Sequence, residues 1–369
     1  MKILAIGGSG GMGRFAVNAV QHFEKVEKII VADLHLESAR GFADEMNDKV
    51  SAIALDVNDT LALQAALSGV DIVMNTCGPF FRFGVPILKA CIDAGCHYFD
   101  ICDDWEPTEE MLKLDQKAVN AGITAVIGLG ASPGLTNFLG LFALKELDDV
   151  ESIYTGWQLG GAKPEAESSQ MKVSAAMIHG VQQMTGSVKV VIKGQEEMVD
   201  PLKGLKLDYP GRGVFDVRIF GHPEAITFPH HYPAIKDSLN VCHGGESGLF
   251  LIRTILTLVN WGLVTKSRAA AWLQWLESRP QIEDSVLESI SLPPIYALAV
   301  GVKDGQKGSV GVSFSADTEN ILADLGMGMA TGIPLAMGVR MLSEGKIDKK
   351  GVMAPEAGHI DPTTFIPEV

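Results

Sequence analysis

The sequence predicts an α/β protein of two domains, the first a doubly wound parallel sheet and the second an α+β domain with a mostly antiparallel sheet. Three observations carry this prediction. Short apolar runs alternate with helical patterns over the first 130 residues, which is typical of parallel βαβ units. A glycine-rich turn directly follows the first apolar run. Beyond Pro133 the pattern changes to strand-like runs separated by segments rich in Pro and Gly.

Six apolar runs predict the parallel strands: Ile3–Ile6, Lys28–Ala32, Val50–Leu55, Asp71–Asn75, Tyr98–Ile101 and Thr124–Ile127. The stretches between them predict helices at Met12–Phe23, Glu37–Glu45, Leu61–Leu67, Val85–Ala94 and Met111–Ala121. Runs without polar alternation are expected here, because strands of a parallel sheet are covered on both faces.

The second domain is predicted from a different series of elements. A helix is expected at Gly134–Leu147, followed by strands at Ser152–Leu159, Ser187–Ile192, Val214–Phe220 and Ala225–Phe228. Helices at Gly248–Trp261 and Arg268–Glu277 and a hairpin of Ile295–Val302 with Ser309–Ala316 complete it. A last helix, Glu319–Ser343, has small residues that allow close packing, and we expect it to return to the first domain. The predicted domains are therefore 1–130 with 319–369, and 131–318.

Composition excludes several classes of protein. The chain of 369 residues is 47% hydrophobic and 20% charged, which excludes a disordered protein. Its net charge of −15 disfavours nucleic acid and anionic membrane surfaces as partners. Five cysteines without a Cys-x-x-Cys pair indicate neither a disulfide framework nor a zinc site. With no signal-peptide pattern and no apolar run of membrane-spanning length, we expect a cytoplasmic protein without a metal.

The glycine-rich turn has the spacing G-x-G-x-x-G and stands between a predicted strand and a predicted helix, which is the Rossmann dinucleotide-binding context. We expect Gly8 to permit the tight turn, Gly10 to admit the pyrophosphate and Gly13 to let helix and strand pack closely. The phosphates would then lie at the helix N-terminus. The cofactor-binding residues assigned to this turn are Gly8, Ser9, Gly10, Gly11, Met12 and Gly13.

Asp33 ends the second predicted strand, 20 residues beyond Gly13. A carboxylate there accepts the adenosine ribose hydroxyls and repels a 2′-phosphate, so NAD is favoured over NADP. Arg14 and Arg40 leave NADP open, and a helix-capping role for Asp33 is the alternative. Asp56 and Thr76, which follow the third and fourth strands, are also assigned to the cofactor.

The loop after the fourth strand is expected to line the nicotinamide side of the site, because ligands of open α/β sheets bind at the carboxyl ends of the strands. Its substrate-binding candidates are Cys77, Gly78, Pro79 and Phe80. The alternative is a Gly-Pro turn that only connects two elements.

With these residues the chain resembles the saccharopine dehydrogenase/reductase and lysine 6-dehydrogenase family. The resemblance rests on segments that begin at Cys77 and Gly84, on 128–137, and near the end on 331–334 and 351–356. It implies a Rossmann domain closed by the C-terminal segment, a central substrate domain, and nicotinamide-linked oxidation of an amine carbon through an imine. Ser132 departs from the family, because saccharopine reductases carry Asp there.

An amine must lose a proton before its carbon gives up hydride, so a base should stand near the nicotinamide. Asp103 and Asp104, just beyond the fifth strand, are the catalytic candidates, with helix capping as the alternative. Lys89 is a third candidate, with a solvated helix face as its alternative. Arg212 suits a substrate carboxylate, or else occupies a hairpin turn.

Two other activities remain open. In an aldehyde or semialdehyde dehydrogenase, Cys102 would be the nucleophile and His243 its base, although flanking carboxylates should raise the thiol pKa. The second alternative is a sensor protein that binds NAD without turnover. The leading prediction is an NAD-dependent dehydrogenase of a small amine or amino acid. We expect a homodimer formed through the Trp-bearing helices of 248–277.

Overall fold

The computed structural model describes residues 1–159, 173, 175–277 and 291–369. The chain divides into two compact units. The first unit comprises Met1–Phe138 and Leu325–Val369, and the second unit comprises Leu139–Asp324. Each unit has its own sheet.

The N-terminal part of the chain alternates strands and helices. In order these are β1 (Lys2–Ile6), α1 (Gly13–Val20), β2 (Lys28–Asp33), α2 (Leu36–Ala43), β3 (Val50–Ala54), α3 (Thr60–Leu67), β4 (Ile72–Asn75), α4 (Phe80–Ala94), β5 (His97–Asp100), α5 (Trp105–Leu112), α6 (Asp115–Ala121), β6 (Thr124–Val126) and α7 (Leu135–Lys145).

The middle of the chain is richer in strands. Its elements are β7 (Asp149–Gln158), α8 (Ala175–Gln183), β8 (Val188–Ile192), β9 (Gln195–Val199), β10 (Gly204–Tyr209), β11 (Gly213–Phe220), α9 (Glu224–His231), β12 (Asp237–His243), α10 (Glu246–Asn260), α11 (Lys266–Glu277), β13 (Ile295–Lys303) and β14 (Gln306–Ser313).

A long helix leads back to the first unit. It is α12 (Ala316–Ser343), followed by β15 (Gly351–Met353), a 3-10 turn at Pro355–Ala357, α13 (Pro362–Phe365) and a final 3-10 turn at Ile366–Glu368. The backbone of α12 is kinked at Gly326, where φ is 78° and ψ is 170°. This conformation needs glycine, and it lies next to the boundary between the units at residue 325.

The sheet of the first unit is parallel throughout, with the strand order β15-β6-β5-β4-β1-β2-β3. The chain moves outward from β1 in both directions, so the predicted doubly wound sheet is confirmed. In the sheet Ile6 is opposite both Ala32 and Asn75. The residues that follow these three strands therefore lie along one edge.

The core of the first unit is formed by the strands themselves. Ile3, Leu4, Val31, Val73 and Phe99 are completely buried. Helices cover both faces of such a sheet, which is why its strands carry apolar residues at consecutive positions. Each large side chain buried in this way contributes about 1.5–3 kcal/mol to folding.

The second unit has a mixed, mostly antiparallel sheet, as predicted. Its main path is β10-β11-β12-β7-β13-β14, and β8 pairs with β12 and β9. The pairing of β12 with β7 is parallel, and the other pairings are antiparallel.

Several elements differ from the prediction. The strand predicted at Ala225–Phe228 is wrong, since this run lies inside α9. A short buried apolar run fits a strand or a helix equally well, and here Glu224 in the first turn and Pro223 at the N-cap favour a helix. The helix predicted at 111–121 is two helices, α5 and α6, and β9, β10 and β12 were not predicted.

Within the described part of the chain, no helix combines the length and the apolar character that a bilayer span requires.

Candidate functional site

The glycine-rich turn between β1 and α1 is held by the backbone of its neighbours. The Gly7 N–H donates to Ala32 O at 2.8 Å, and the Gly10 N–H donates to Gly7 O at 3.0 Å. Gly7 has a φ of +74°, so Gly7 makes the left-handed turn that the sequence analysis assigned to Gly8. At Gly8 the requirement is space, because a Cβ would lie 2.9 Å from Ala5 Cβ.

Gly13 starts α1 where helix and loop approach closely. A Cβ at Gly13 would overlap Gly7 O and lie 2.6 Å from Thr76 Oγ1. The Thr76 hydroxyl is within hydrogen-bond distance of Ile6 O (3.1 Å) and Gly7 O (3.0 Å). Thr76 therefore braces the start of the turn from the end of β4. The remaining residues of the turn, Ser9, Gly11 and Met12, lie between Gly8 and the helix, with Met12 at its N-cap.

Asp33 is the last residue of β2 and contacts this turn directly. Ser9 Oγ donates to Asp33 Oδ2 at 2.6 Å. Arg14 lies beside the same loop, since its Nη2 donates to Ser9 O at 3.4 Å and its guanidinium is 5.6 Å from the centre of the Phe42 ring. A carboxylate and one cation thus border the end of β2.

Asp56 lies in the exposed turn after β3. Its Oδ1 accepts from the backbone N–H of Asn58 at 2.9 Å and from Asn58 Nδ2 at 2.7 Å, and these hydrogen bonds lower the pKa of Asp56. The charges of Asp33 and Asp56, together with the larger effect of burial, raise the pKa of the Cys77 thiol to about 11. The loops after β2, β3 and β4 therefore meet at one edge of the sheet.

The loop after β4 runs from Asn75 into α4. The Cys77 N–H donates to Asn75 Oδ1 at 3.0 Å, and the Gly78-Pro79 peptide bond is cis. Phe80, the first residue of α4, is buried. The substrate-binding role of 77–80 stays a prediction, and the structure places these residues on the same sheet edge as the glycine turn.

A buried polar network joins the ends of β4 and β5 and the loop after β6. Asp100 Oδ1 accepts from the N–H groups of Cys102 (3.0 Å) and Gly128 (2.7 Å). Tyr98 Oη donates to Asp100 Oδ2 at 2.7 Å and accepts from Asn75 Nδ2 at 2.9 Å. Burial raises the pKa of Asp100 to about 6, with a further contribution from the charge of Asp103.

Asn75, Tyr98 and Asp100 were not among the predicted site residues. The sequence does contain a signal for two of them, because Asn75 and Asp100 are polar residues that end two consecutive apolar strands. Their connection through Tyr98 becomes visible only when β4 and β5 are neighbours, with Tyr98 opposite Val73.

The two catalytic candidates, Asp103 and Asp104, come three and four residues after the end of β5. Asp103 is half-buried and Asp104 is buried, and both lie between β5 and α5 at the carboxyl edge of the sheet. Asp104 occupies the N-cap position of α5, but its side chain makes no capping hydrogen bond. Its charge and the larger effect of burial raise the pKa of Glu106. Acidic side chains thus follow β5 at this edge of the sheet, and the role of Asp103 and Asp104 as a base stays a prediction.

Lys89 and Arg212 have different surroundings. Lys89 is exposed on α4, nine residues beyond the helix start and so roughly 13–14 Å along its axis from the sheet edge. This position favours the solvated helix face. Arg212 lies in the second unit, in the turn between β10 and β11, and its Nη1 donates to Ser291 O at 2.6 Å. The hairpin turn named as the alternative is therefore present.

Two segments that carried the family resemblance meet in the first unit. Asn137 Nδ2 donates to Glu356 Oε2 at 2.7 Å, and Asn137 Oδ1 accepts from the Gly134 N–H at 2.7 Å. Glu356 is completely buried, and the Phe138 and Phe365 rings lie 4.5 Å apart. These contacts attach the C-terminal segment to α7.

Comparison with known proteins identifies the relatives of this chain. Residues 3–126 match the family model described as the saccharopine dehydrogenase NADP binding domain. This part of the chain is thus similar to the NADP-binding domain of the saccharopine dehydrogenases. Carboxyaminopropylagmatine dehydrogenase of Synechocystis sp. is 24% identical over 99% of this chain and 94% of its own length. The NADP(+)-dependent, L-glutamate-forming saccharopine dehydrogenase of Schizosaccharomyces pombe is 30% identical over 34% of this chain and 26% of its own length.

Solved structures show the same fold along the whole chain. The L-Glu-forming saccharopine dehydrogenase of Saccharomyces cerevisiae superposes with a TM-score of 0.60 at 16% identity, covering 100% of this chain and 96% of that one. Homospermidine synthase of Legionella pneumophila, solved with NAD, gives 0.58 at 12% identity, covering 100% and 88%. The saccharopine dehydrogenase resemblance, the α/β fold and an NAD(P)-binding domain are thereby confirmed.

Proposed function

We propose that this protein is an NAD(P)-dependent oxidoreductase that acts on a C–N bond of an amino acid, a diamine or an opine-like secondary amine, by hydride transfer through an imine. One observation carries the proposal. The glycine turn, Asp33, the 77–80 loop and the carboxylates of Asp103 and Asp104 follow neighbouring strands of one parallel sheet at the same edge. This edge is where open α/β sheets bind their ligands.

The residues present suit a dinucleotide. At Gly7, Gly8 and Gly13 the surrounding atoms leave no room for a side chain, which leaves amide groups at the start of α1 for the pyrophosphate. Asp33, oriented by Ser9, would accept the adenosine ribose hydroxyls, and a carboxylate there favours NAD over NADP. When bound, the nicotinamide accepts the hydride, and the protein supplies binding, orientation and proton transfer.

Proton transfer falls to the acidic group beyond β5. An ammonium substrate must become neutral before hydride leaves its carbon, so a carboxylate near the nicotinamide would first hold the ammonium and then accept its proton. Asp103 and Asp104 are the proposed residues. Because the amine is mostly protonated at neutral pH, the rate of oxidation should rise toward alkaline pH.

The relatives support an amine as substrate. Their names denote dehydrogenases of carboxyaminopropylagmatine and of saccharopine. In both the activity concerns an amine compound that also carries a carboxyl group. We propose the same class here, and the substitution at Ser132 favours a substrate other than saccharopine.

A spectrophotometric screen tests the function. The protein is incubated with NAD or NADP and with amino acids, diamines and opine-like secondary amines, including carboxyaminopropylagmatine and saccharopine, from neutral to alkaline pH. We expect NADH formation with one amine class and a rate that rises with pH. The variant with Asp103→Asn and Asp104→Asn should bind NADH normally and lose at least tenfold in turnover. Dinucleotide binding without turnover of any amine would instead support the sensor.

The homodimer and the cytoplasmic location stay predictions. Several large apolar side chains of α10 and α11 are exposed, namely Phe250, Leu251, Trp272 and Trp275. Trp261 and Leu263, between the two helices, are exposed as well. Light scattering on the purified protein would give its mass in solution, with a monomer counting against the dimer.

A further inference from the structure

The carboxyl edge of the first sheet contains a buried chain of hydrogen bonds that belongs to none of the assigned roles. Asn75, Tyr98 and Asp100 are each fully shielded from solvent. Asn75 ends β4 and Asp100 ends the neighbouring strand β5, with Tyr98 two residues before Asp100. Asp100 also reaches the loop after β6. Three consecutive loops of the sheet edge are therefore tied to one carboxylate.

The direction of the hydrogen bonds identifies Asp100 as their end point. The Cys77 N–H donates to Asn75 Oδ1, Asn75 Nδ2 donates to Tyr98 Oη, and Tyr98 Oη donates to Asp100 Oδ2. From the other side two backbone N–H groups donate to Asp100 Oδ1. Each of these donors needs an acceptor, which a carboxylate supplies with both oxygens and an amide supplies with only one.

The loops joined in this way are those proposed to face the nicotinamide. The first carries Cys77 and Pro79, and the second carries Asp103 and Asp104. The third is packed tightly against the second, because a Cβ at Gly128 would lie 3.2 Å from Cys102 O. The Leu129 N–H also donates to Asp100 O at 2.8 Å.

We propose that Asp100, acting through Tyr98 and Asn75, is a positioning residue that fixes the 77–79 loop and the Asp103–Asp104 segment relative to each other around the nicotinamide. This inference rests on the proposed dinucleotide function and adds residues that do not touch the cofactor. The adenosine half, held by the glycine turn and Asp33, lies outside this network. Loss of the network should therefore weaken binding of the nicotinamide half of the dinucleotide and leave binding of the adenosine half unchanged.

Tyr98→Phe is the most direct test, because it removes one hydroxyl and keeps the buried ring. Asp100→Asn is the second variant, since it replaces one accepting carboxylate oxygen with an NH2 group that can only donate. Asp115→Asn is the matched control, because Asp115 Oδ1 also accepts a backbone N–H, that of Val352 at 2.9 Å. That contact joins α6 to β15, the outermost strand of the same sheet, which is separated from β5 by β6.

Two ligands separate the two halves of the site. ADP-ribose, measured by calorimetry, probes the adenosine half, and NADH, measured by its nicotinamide fluorescence, probes the whole. We expect Tyr98→Phe and Asp100→Asn to bind ADP-ribose within about twofold of the unaltered protein and NADH about five- to tenfold more weakly, with a less shifted nicotinamide emission. Asp115→Asn should change neither affinity.

The outcomes distinguish this inference from the proposed function. If the unaltered protein binds none of ADP-ribose, NADH and NADPH, the dinucleotide function is wrong. If it binds ADP-ribose and NADH and Tyr98→Phe binds both equally well, the positioning role is wrong. If Tyr98→Phe lowers the affinity for both ligands equally, the network has a general structural role, and the positioning role is again wrong. Thermal unfolding of every variant establishes that the folded protein is being compared.

Discussion

Ser9 and Asp33 are joined by a short hydrogen bond, in which Ser9 Oγ donates to Asp33 Oδ2 at 2.6 Å. Ser9 belongs to the glycine turn and Asp33 ends the neighbouring strand, so this contact fixes the carboxylate beside the backbone proposed to bind the pyrophosphate. One Asp33 oxygen is oriented by the loop, and the carboxylate can still accept from a ribose, because each of its oxygens has two acceptor sites.

Replacing Asp33 should weaken NAD binding. Asp33→Ala removes the charged acceptor for the ribose hydroxyls, and we expect about a tenfold rise in the Kd for NAD, equivalent to about 1.4 kcal/mol. Ser9→Ala should have a smaller effect, roughly two- to threefold, since it only orients the carboxylate. Calorimetric titration with NAD and NADP gives both values.

A suitable control for that experiment is Asp59→Ala. Asp59 caps α3 by accepting from the N–H groups of Leu61 and Ala62, both at 3.0 Å, and its loss should cost about 1 kcal/mol of stability with no change in NAD affinity. Tighter binding of NADP than of NAD by the unaltered protein would show that Asp33 does not set the preference, and would give Arg14 that role.

Gly13 should not accept any side chain. In Gly13→Ala the new Cβ would meet Gly7 O and Thr76 Oγ1, so the turn must move, and we expect at least a tenfold loss of NADH affinity. Fluorescence titration with NADH measures it. Gly41→Ala is the matched change on α2, because nothing lies within 4 Å of its Cβ, and it should stabilise the protein by about 0.5–1 kcal/mol. Unchanged NADH binding in Gly13→Ala would contradict the proposed path of the pyrophosphate.

The thiols of the first unit should be unreactive. Burial raises the pKa of Cys77 to about 11, and it raises the pKa of the completely buried Cys102 well above the usual range. Two pKa units above an ordinary thiol reduce the thiolate about a hundredfold. Iodoacetamide at mildly alkaline pH should therefore leave NADH binding and amine oxidation largely intact, as mass spectrometry and activity together would show. Complete inactivation that an aldehyde prevents would instead support the aldehyde dehydrogenase with Cys102 as nucleophile.

His243 in the second unit should make that unit sensitive to acid. Burial is the main cause that lowers the pKa of His243 to about 4, whereas an unfolded histidine titrates near 6.5. The unfolded chain therefore binds the proton first, so the contribution of His243 is complete above pH 6.5 and is lost as the pH falls through 4. The full loss is about 3 kcal/mol.

Urea unfolding at several pH values measures this contribution. Tryptophan fluorescence reports mainly on the second unit, which holds Trp157, Trp261, Trp272 and Trp275. His243→Phe should flatten the dependence between pH 6.5 and 4, while His359→Asn, a change at an exposed histidine of the first unit, should not. An equally steep fall in His243→Phe would assign the acid sensitivity to other groups.

The parallel sheet could be predicted from the sequence because its information is local. Each strand from β1 to β6 is a short apolar run followed by a helical pattern, and the glycine turn specifies both its own shape and its ligand class. The run at 225–228 was assigned to a strand because four apolar or β-branched residues do not distinguish strand from helix. Pro223 and Glu224 favour a helix locally, and α9 also packs against β8 and β12, which the sequence alone does not show.

The residues of the candidate site also divide into those that local sequence predicts and those that it does not. Gly13 and Asp33 could be assigned from spacing along the chain. The network of Asn75, Tyr98 and Asp100 could not, because it depends on which strands are neighbours and on a side chain that points between them. The identity of the base is harder still, since Asp103 and Asp104 are adjacent in sequence and differ only in what surrounds them.

The last parallel strand of the first unit, β15, pairs with β6 although residues 139–324 lie between the two parts of that unit. The ribosome therefore releases the glycine turn and six strands long before it makes the seventh. Until 351–353 have been synthesised, the outer edge of β6 presents unpaired backbone groups, and Asn137 lacks the carboxylate of Glu356. The sheet of the first unit is therefore completed during synthesis only after the whole second unit has been made.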